Sequence, residues 1–159
     1  MYNHAPENYN CPLCLTINGV ENEFNMAKQA DIVYRDEKTL VMVNSKFIES
    51  NPGHVIVVPT AHFENIYELP PEYAHAIADT AQKMALALKE VRKCEGVWIE
   101  QNNEPASGQH AFHYHMHVVP RFKDDNMKKV LAEKGTVVAD PADRVLYAEA
   151  LRTYFNQNN

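Results

Sequence analysis

Three histidines stand at alternate positions in the chain, at His113, His115 and His117. Successive side chains of a β-strand point to opposite faces, so this spacing places the three imidazoles on one face. The segment 112–119 contains no glycine, proline or acidic residue, which favours a strand. Because imidazole can attack as a nucleophile, transfer a proton or bind a metal near neutral pH, the row predicts a chemical site. The opposite face would carry the packing residues Tyr114, Met116 and Val118.

A second group with chemical potential is the pair Cys11 and Cys14, in the order Cys-Pro-Leu-Cys. This spacing is typical of half a tetrahedral zinc site. A thioredoxin-like redox pair would follow a β-strand, whereas this pair follows a polar arm, so we favour metal binding. With Cys94 the cysteine count is odd, which indicates reduced thiols and predicts a cytoplasmic protein rather than a disulfide framework.

Composition narrows the classes of partner. The 159 residues suit one domain with a substantial core, and the net charge is −6 without any stripe of lysine or arginine. Tight binding to polymeric nucleic acid depends on phosphate neutralisation and is not expected, whereas a small nucleotide remains compatible. The first residues form no secretory signal, and no apolar stretch is long enough to predict a membrane span.

The elements that must position these residues are short β-runs and one long amphipathic helix. Apolar residues from Tyr73 to Val91 recur at spacings of three and four, and Pro70 and Pro71 suit a helix start. Together with the β-branched runs, this predicts an α+β fold with a largely antiparallel sheet. The predicted strands are 32–35, 39–44, 54–59, 97–102 and 112–119, and the predicted helices are 71–94 and 141–155.

Three regions follow from this pattern. Residues 1–10 are predicted to be a loose polar arm, residues 11–122 the domain with its cysteine knuckle, and residues 123–159 a C-terminal extension ending in a helix. The segment 122–140 has mixed charge and is expected to pack loosely.

The histidine row resembles the signature of the histidine triad (HIT) family, in which three histidines alternate with apolar residues and two apolar residues follow. The resemblance continues through Asn102 and 108–109, through the Pro-Gly-His strand segment 51–59, and through 69–72 at the start of the long helix. It spans roughly residues 11–121. The tail 148–155 is similar to the end of the fragile-histidine-triad branch, which hydrolyses dinucleoside polyphosphates.

The resemblance implies a HIT-like fold, with a five-stranded antiparallel sheet crossed by the long helix. It also implies a two-fold homodimer whose sheets join into one of ten strands. The activity that it implies is nucleotide hydrolysis at an α-phosphorus, on a dinucleoside polyphosphate or an adenosine phosphoramidate, through a covalent nucleotidyl-histidine.

The resemblance also assigns the catalytic roles. His115 matches the nucleophile, and one of its ring nitrogens would donate its proton to the backbone carbonyl of His113. His117 would face the phosphate and supply charge or a proton to the leaving group, and His54 would lie beside the triad. The residues matching the family's substrate contacts are Asn44 at the ribose, and around the phosphate Asn102, Gln109, the backbone near Ser107 and Gly108, and His110.

Two positions depart from the family pattern. His110 stands where relatives usually carry serine or threonine, and Glu104 stands where many carry glycine. His110 is either a cationic phosphate ligand or a surface loop histidine. Both departures bear on substrate preference and rate.

The resemblance completes the zinc site. Zinc-bearing HIT proteins and the related galactose-1-phosphate uridylyltransferases add a histidine after the third strand and the first triad histidine, here His62 and His113. With Cys11 and Cys14 these would close a four-ligand shell, so that the zinc is structural.

Other functions remain open from the sequence. A nucleotide-binding or scaffolding protein with vestigial catalysis is the main alternative, and a phosphorylase would differ only in its second step. A catalytic metal held by the three triad histidines is disfavoured, because same-face neighbours on a strand stand about 7 Å apart.

Overall fold

The computed structural model of the protein describes residues 2–158. In chain order the elements are α1 (Pro12–Ile17), β1 (Ile32–Arg35), β2 (Thr39–Val43), β3 (Lys46–Phe47), β4 (Val55–Pro59), α2 (Pro71–Arg92), β5 (Gly96–Glu100), β6 (Met116–Arg121), α3 (Met127–Lys134), β7 (Val137–Val138) and α4 (Pro141–Asn158). Short 3₁₀ turns lie at Gln29–Asp31 and Pro105–Ser107.

The main sheet has five strands in the order β1-β2-β4-β6-β5, and every neighbouring pair is antiparallel. A separate two-stranded ribbon pairs β3 with β7. The predicted α+β class and the five-stranded antiparallel sheet are therefore confirmed. Among the described residues, none of the helices combines the length and apolar character needed to cross a membrane.

Helix α2 packs on one face of the sheet through the stripe that its periodicity predicts. Ile77, Met84 and Leu88 are fully buried against β-strand valines. The same core includes Tyr114 and Val118, so the alternate positions between the triad histidines face α2 as predicted. The helix ends at Arg92, because Lys93 adopts the left-handed conformation with φ 51°.

The opposite face of the sheet is covered at two places. The cysteine knuckle, residues 11–19, contains α1 and packs on one part of this face, against the strand residues Leu40, Met42, Ile56 and Val58. Helix α3 contributes Met127 to a second cluster with Ile48 and Val119. The strand register aligns a row of side chains on this face, Met42, Ile56, His117 and Glu100. All four line a cleft of about 550 Å³ between the knuckle and α3.

The triad strand begins later than the sequence pattern predicts. Ladder pairing with β4 starts at Met116, so His113 and His115 lie on the segment that precedes β6. The partner strand β4 ends at Pro59, which has no N–H to donate to a ladder. The Pro59 carbonyl instead accepts a hydrogen bond from the His113 ring at 3.1 Å.

The segment 122–140 is ordered into α3 and β7, whereas the sequence suggests loose packing. Asp125 organises its start, because it accepts two hydrogen bonds from the Arg121 guanidinium at 2.7 and 2.8 Å. Asp125 also accepts from Asn51 at 2.7 Å. These bonds hold the pKa of Asp125 well below its usual range. The mixed charge of 122–140 hides any apolar periodicity in the sequence. One of these charged residues, Asp125, is nevertheless the anchor of the segment.

Candidate active site

His115 is oriented by one backbone hydrogen bond. Its Nδ1 donates to the His113 carbonyl at 2.8 Å, as the family resemblance implies. The proton on Nδ1 leaves Nε2 with a free lone pair. Burial lowers the pKa of His115, so the ring is neutral near pH 7. The ring lines the cleft, and a neutral nitrogen with a fixed tautomer is what a nucleophilic histidine requires.

His117 and His54 continue the cluster of rings beside His115. The centroids of His115 and His117 are 5.0 Å apart, and those of His54 and His117 are 5.5 Å apart. Burial holds the pKa of His117 well below its usual value, and the neighbouring histidines lower it further. The cluster is therefore uncharged in the free protein near neutral pH.

His54 is buried, with 2% of its surface exposed, so it is not a solvent-facing strand residue. Its Nε2 accepts a hydrogen bond from Asn44 Nδ2 at 2.8 Å, which places the ring proton on Nδ1. That Nδ1 has no hydrogen-bond partner within residues 2–158. Burial lowers the pKa of His54 to about 4. His54 thus fixes the side chain of Asn44 while remaining neutral.

Four of the predicted substrate residues line the cleft with His115, namely Asn44, Asn102, Gly108 and His110. Asn102 donates to Glu100 Oε1 at 3.0 Å, which orients its amide. Gly108 has φ 92°, a conformation that glycine adopts without strain, and its main chain follows the 3₁₀ turn at Pro105–Ser107. His110 is exposed at the mouth of the cleft.

The side chains of Gln109 and Ser107 form hydrogen bonds within the protein. Gln109 is 3% exposed, and its amide donates to the Glu64 carbonyl at 2.6 Å and accepts from the Glu104 N–H at 2.7 Å. The Ser107 hydroxyl donates to the main chain of its own loop, to Asn103 and Glu104. Neither side chain lines the cleft. The structure therefore gives Gln109 the role of holding the loop.

Glu104 adopts φ 66°, which explains why glycine suits this position in relatives. Its carboxylate turns away from the cleft and accepts hydrogen bonds from His4 Nε2 at 2.9 Å and from the Tyr67 hydroxyl at 3.1 Å. The bond from His4 lowers the pKa of Glu104. The negative charge that this departure introduces is thus paired outside the cleft.

The proposed metal ligands converge. Ligand atoms of Cys11, Cys14, His62 and His113 all lie within 4.8 Å of one another. Nδ1 of His113 is 3.4 Å from both sulfurs, and Nδ1 of His62 is 3.3 Å from Cys14 Sγ. A tetrahedral zinc with its usual bond lengths requires nitrogen–sulfur separations of about 3.5 Å. The spacing therefore fits a zinc ion.

The surroundings of the cluster also fit a cation. His113 Nε2 donates to the Pro59 carbonyl, so the Nδ1 lone pair faces the sulfurs, which is the arrangement usual for a metal-bound histidine. Burial and the neighbouring Cys11 raise the pKa of Cys14 to about 12. Both sulfurs therefore become thiolates near neutral pH only when a cation lies beside them.

Several residues of the cleft could not be predicted from the sequence. Glu100 faces it because it is the register partner of His117, a relation that becomes visible only once β5 is paired with β6. Lys46 lines it from β3, and the segment 24–27 forms part of one wall. Lys46 and residues 24–27 belong to a two-residue strand and an irregular loop, which carry no periodic signal.

Fold and site together define a class: an antiparallel α+β protein that presents a histidine with a free ring nitrogen in a cleft, next to two cysteines and two histidines that converge on one point. The chain matches the HIT domain family over residues 25–124 and belongs to that family. The resemblance read from the histidine row is thereby confirmed.

Individual relatives agree with this assignment. "Protein hit" of Bacillus subtilis is 34% identical over 119 residues, which cover 75% of this chain and 74% of that protein. A Zn-bound histidine triad family protein from Mycobacterium smegmatis superposes with a TM-score of 0.73 at 28% identity, covering 94% of this chain and 95% of the other. The diadenosine triphosphate hydrolase of Plasmodium falciparum shares the fold, with a TM-score of 0.72 at 16% identity over 99% of this chain and 90% of that one.

Proposed function

We propose that the protein is a nucleotide hydrolase that cleaves at an α-phosphorus through a nucleotidyl-His115 intermediate. The observation that carries the proposal is the 2.8 Å hydrogen bond from His115 Nδ1 to the His113 carbonyl, which leaves a neutral Nε2 in the cleft. Membership of the HIT family supports it, and so does the activity of the Plasmodium falciparum protein that shares the fold.

In the first step the Nε2 lone pair of His115 attacks phosphorus, and the bond to the leaving group breaks. His117 gives a proton to the departing atom, and the bound phosphate charge raises the pKa of His117 for this task. The His113 carbonyl stabilises the positive charge that develops on the attacking ring. Water then attacks phosphorus with loss of a proton to His117, the P–N bond breaks, and a nucleoside monophosphate leaves.

The remaining cleft residues bind and orient the nucleotide in this proposal. Asn44, held by His54, contacts the ribose hydroxyls through its amide oxygen. Asn102 and the main chain at Gly108 direct donors at the phosphate oxygens, which is how phosphoryl transfer is promoted by positioning and charge stabilisation. His110 at the mouth of the cleft contacts the leaving group. The substrate is a dinucleoside polyphosphate or an adenosine phosphoramidate.

The test is covalent trapping. After mixing with diadenosine triphosphate or adenosine phosphoramidate, the wild type is quenched without acid, because a P–N bond is acid-labile, and its intact mass is measured. We expect a mass increase of one nucleotidyl group, which is absent in His115→Asn and present in His75→Asn, a control at an exposed position of α2. Labelling of His115→Asn, or full turnover by it, would refute the intermediate.

A nucleotide-binding protein with weak catalysis is the second candidate. It is favoured by the departures at Glu104 and His110 and by the internal engagement of Gln109. Such a protein would bind AMP without becoming labelled. Comparing product formation with and without inorganic phosphate also separates a hydrolase from a phosphorylase.

We further propose that Cys11, Cys14, His62 and His113 hold a structural zinc ion, because four protein ligands leave no open coordination position. The three cysteines are free in the structure, which agrees with a reducing, cytoplasmic setting. A homodimer formed through the edge strand β5 completes the proposal.

A further inference from the structure

The N-terminal arm, residues 2–10, is docked on the protein, although the sequence predicts a loose segment. Most of the hydrogen bonds of its first residues go to the substrate loop, residues 102–110, and to the bracket, residues 64–67, which lies between arm and loop. His4 Nε2 in the arm pairs with the Glu104 carboxylate of the substrate loop at 2.9 Å. The Tyr67 hydroxyl of the bracket donates to the same carboxylate at 3.1 Å.

Glu64 is the buried centre of this junction. Glu64 is only 2% exposed. Its carboxylate accepts hydrogen bonds from the backbone N–H groups of His4 and, at 3.2 Å, of Ala5. Its backbone carbonyl accepts from Gln109 Nε2 at 2.6 Å. One residue therefore binds the arm through its side chain and the substrate loop through its main chain.

Two further amide side chains complete the junction. Asn103 Oδ1 of the substrate loop accepts the Ile66 N–H at 2.8 Å. Asn65, which is 1% exposed, donates to Asn3 Oδ1 of the arm at 2.8 Å. The bracket is thus hydrogen-bonded on one side to the arm and on the other to the loop that carries Asn102, Gly108 and His110.

The bonds differ in strength. The His4–Glu104 pair is partly solvent-exposed and, as a surface ion pair, contributes little to the free energy of folding. The Glu64 carboxylate is buried, and removal of the arm would leave it without the N–H donors of His4 and Ala5. The left-handed backbone at Glu104 would suit glycine better, so local backbone preference does not favour glutamate here. What the glutamate side chain adds is its hydrogen bonds with His4 and Tyr67.

We propose that the arm is a clasp that sets the position of the substrate loop, with Glu64 and Glu104 as its positioning residues. The inference rests on the proposed function, because that function gives the loop its donors. Displacement of phosphate donors by about 1 Å costs on the order of a hundredfold in rate. A loosened clasp therefore lowers kcat more than it raises KM, since the donors stabilise the transition state more than the bound substrate.

The experiment uses Glu64→Ala, deletion of residues 2–7, and the pair Glu104→Gly and Glu104→Gln. We expect kcat to fall at least about tenfold in the first three, and Glu104→Gln to recover most of the loss because its amide can bond both the Tyr67 hydroxyl and the His4 ring. Glu104→Gly should keep or gain stability in urea unfolding, because glycine relieves the positive φ. Glu7→Gln is the matched control: Glu7 is exposed on the same arm and makes no hydrogen bond within the described residues.

Zinc content, amide exchange and the Glu7→Gln control distinguish the clasp from other causes of a lower kcat. Zinc content must stay unchanged, because the arm leads into Cys11. The amide of Glu104, bonded to Gln109, should exchange faster with solvent when the arm is deleted. Unchanged kcat in Glu64→Ala and in the deletion variant, or an equal loss in Glu7→Gln, would overturn the clasp. If the wild type hydrolyses neither substrate, the proposed function fails, whereas amide exchange and AMP affinity still decide whether the arm positions the loop.

Discussion

At the scale of single residues, the side chain and the main chain of His113 have different roles. The His113 ring faces the metal cluster, and its carbonyl orients His115. The alternation of side chains could be predicted from the spacing, and the burial of Tyr114 and Val118 agrees with it. The separate role of the His113 ring follows only from the family resemblance and not from the spacing, because it depends on residues 11, 14 and 62, which approach from distant parts of the chain.

The direction of the histidine pKa shifts predicts the acid limb of the rate profile. The nucleophile must be neutral, and burial lowers the pKa of His115, His117 and His54, the last to about 4. We therefore expect no acid limb in kcat/KM above about pH 6.5, the ordinary histidine pKa, and a fall only at lower pH as the lowered pKa of His115 is passed.

The profile is measured for hydrolysis of adenosine phosphoramidate, with zinc content and circular dichroism recorded at each pH. A decline that begins above pH 6.5 while zinc and fold are retained would contradict a neutral, buried nucleophile.

Among the elements, α2 and the strands β1, β2, β4 and β5 could be located from periodicity and β-branched runs. The segments α3, β7 and the docked arm could not, because their order comes from single polar anchors such as Asp125 and Glu64. A polar residue looks the same in a sequence whether it is solvated or buried with partners. The pattern therefore under-predicts structure wherever a carboxylate gathers backbone N–H groups.

The cysteine knuckle allows a prediction of how loss of the metal changes stability and activity. We expect Cys14→Ser to lose zinc and about 3 kcal/mol of stability, about 10 °C in Tm, because the bound metal no longer favours the folded state. Activity should fall as well, since His113 loses a fixed position. Elemental analysis after purification without chelator, followed by thermal unfolding, measures both effects.

Cys94→Ala is the matched control, because this third cysteine is buried away from the cluster and should retain the metal. Wild-type protein without zinc, or a Cys14→Ser variant that keeps it, would refute the ligand set.

Helix α4 holds one wall of the cleft through a buried ion pair. Arg144, 2% exposed, donates to Asp31 at 3.1 Å and to the carbonyls of Ala139 and Met26 at 3.2 and 3.1 Å. Arg144→Met would leave Asp31 buried without its cation, so we expect a loss of about 3–5 kcal/mol in the free energy of unfolding.

Urea unfolding measures this loss, and Arg35→Met serves as the control. Arg35 is exposed and donates to one carbonyl, of Ile17, so its replacement should cost about 1 kcal/mol or less. Comparable losses of unfolding free energy in the two variants would contradict a larger contribution from the buried Arg144–Asp31 pair.

For the molecule as a whole, the free edge of the sheet predicts assembly. Strand β5 pairs only with β6 in the described chain, and its Ile99 is 48% exposed. An apolar edge strand is a template for pairing with a second copy. We expect sedimentation at twice the 18.1 kDa of one chain.

Ile99→Lys should shift the protein to the monomer, because a charge would be placed at the paired edge. Leu146→Lys should leave assembly unchanged, since Leu146 is 64% exposed on α4, away from β5. A wild type that sediments as a monomer at micromolar concentration would exclude the dimer.

The dual use of residue 113 has a consequence for how the protein responds to its surroundings. An oxidant or thiol-reactive compound that removes Cys11 or Cys14 from the cluster would release the imidazole of that residue, and with it the peptide oxygen that selects the tautomer of its neighbour. We therefore expect such reagents to silence the nucleophile without entering the cleft, so that the redox state of the thiols governs the chemistry at a distance.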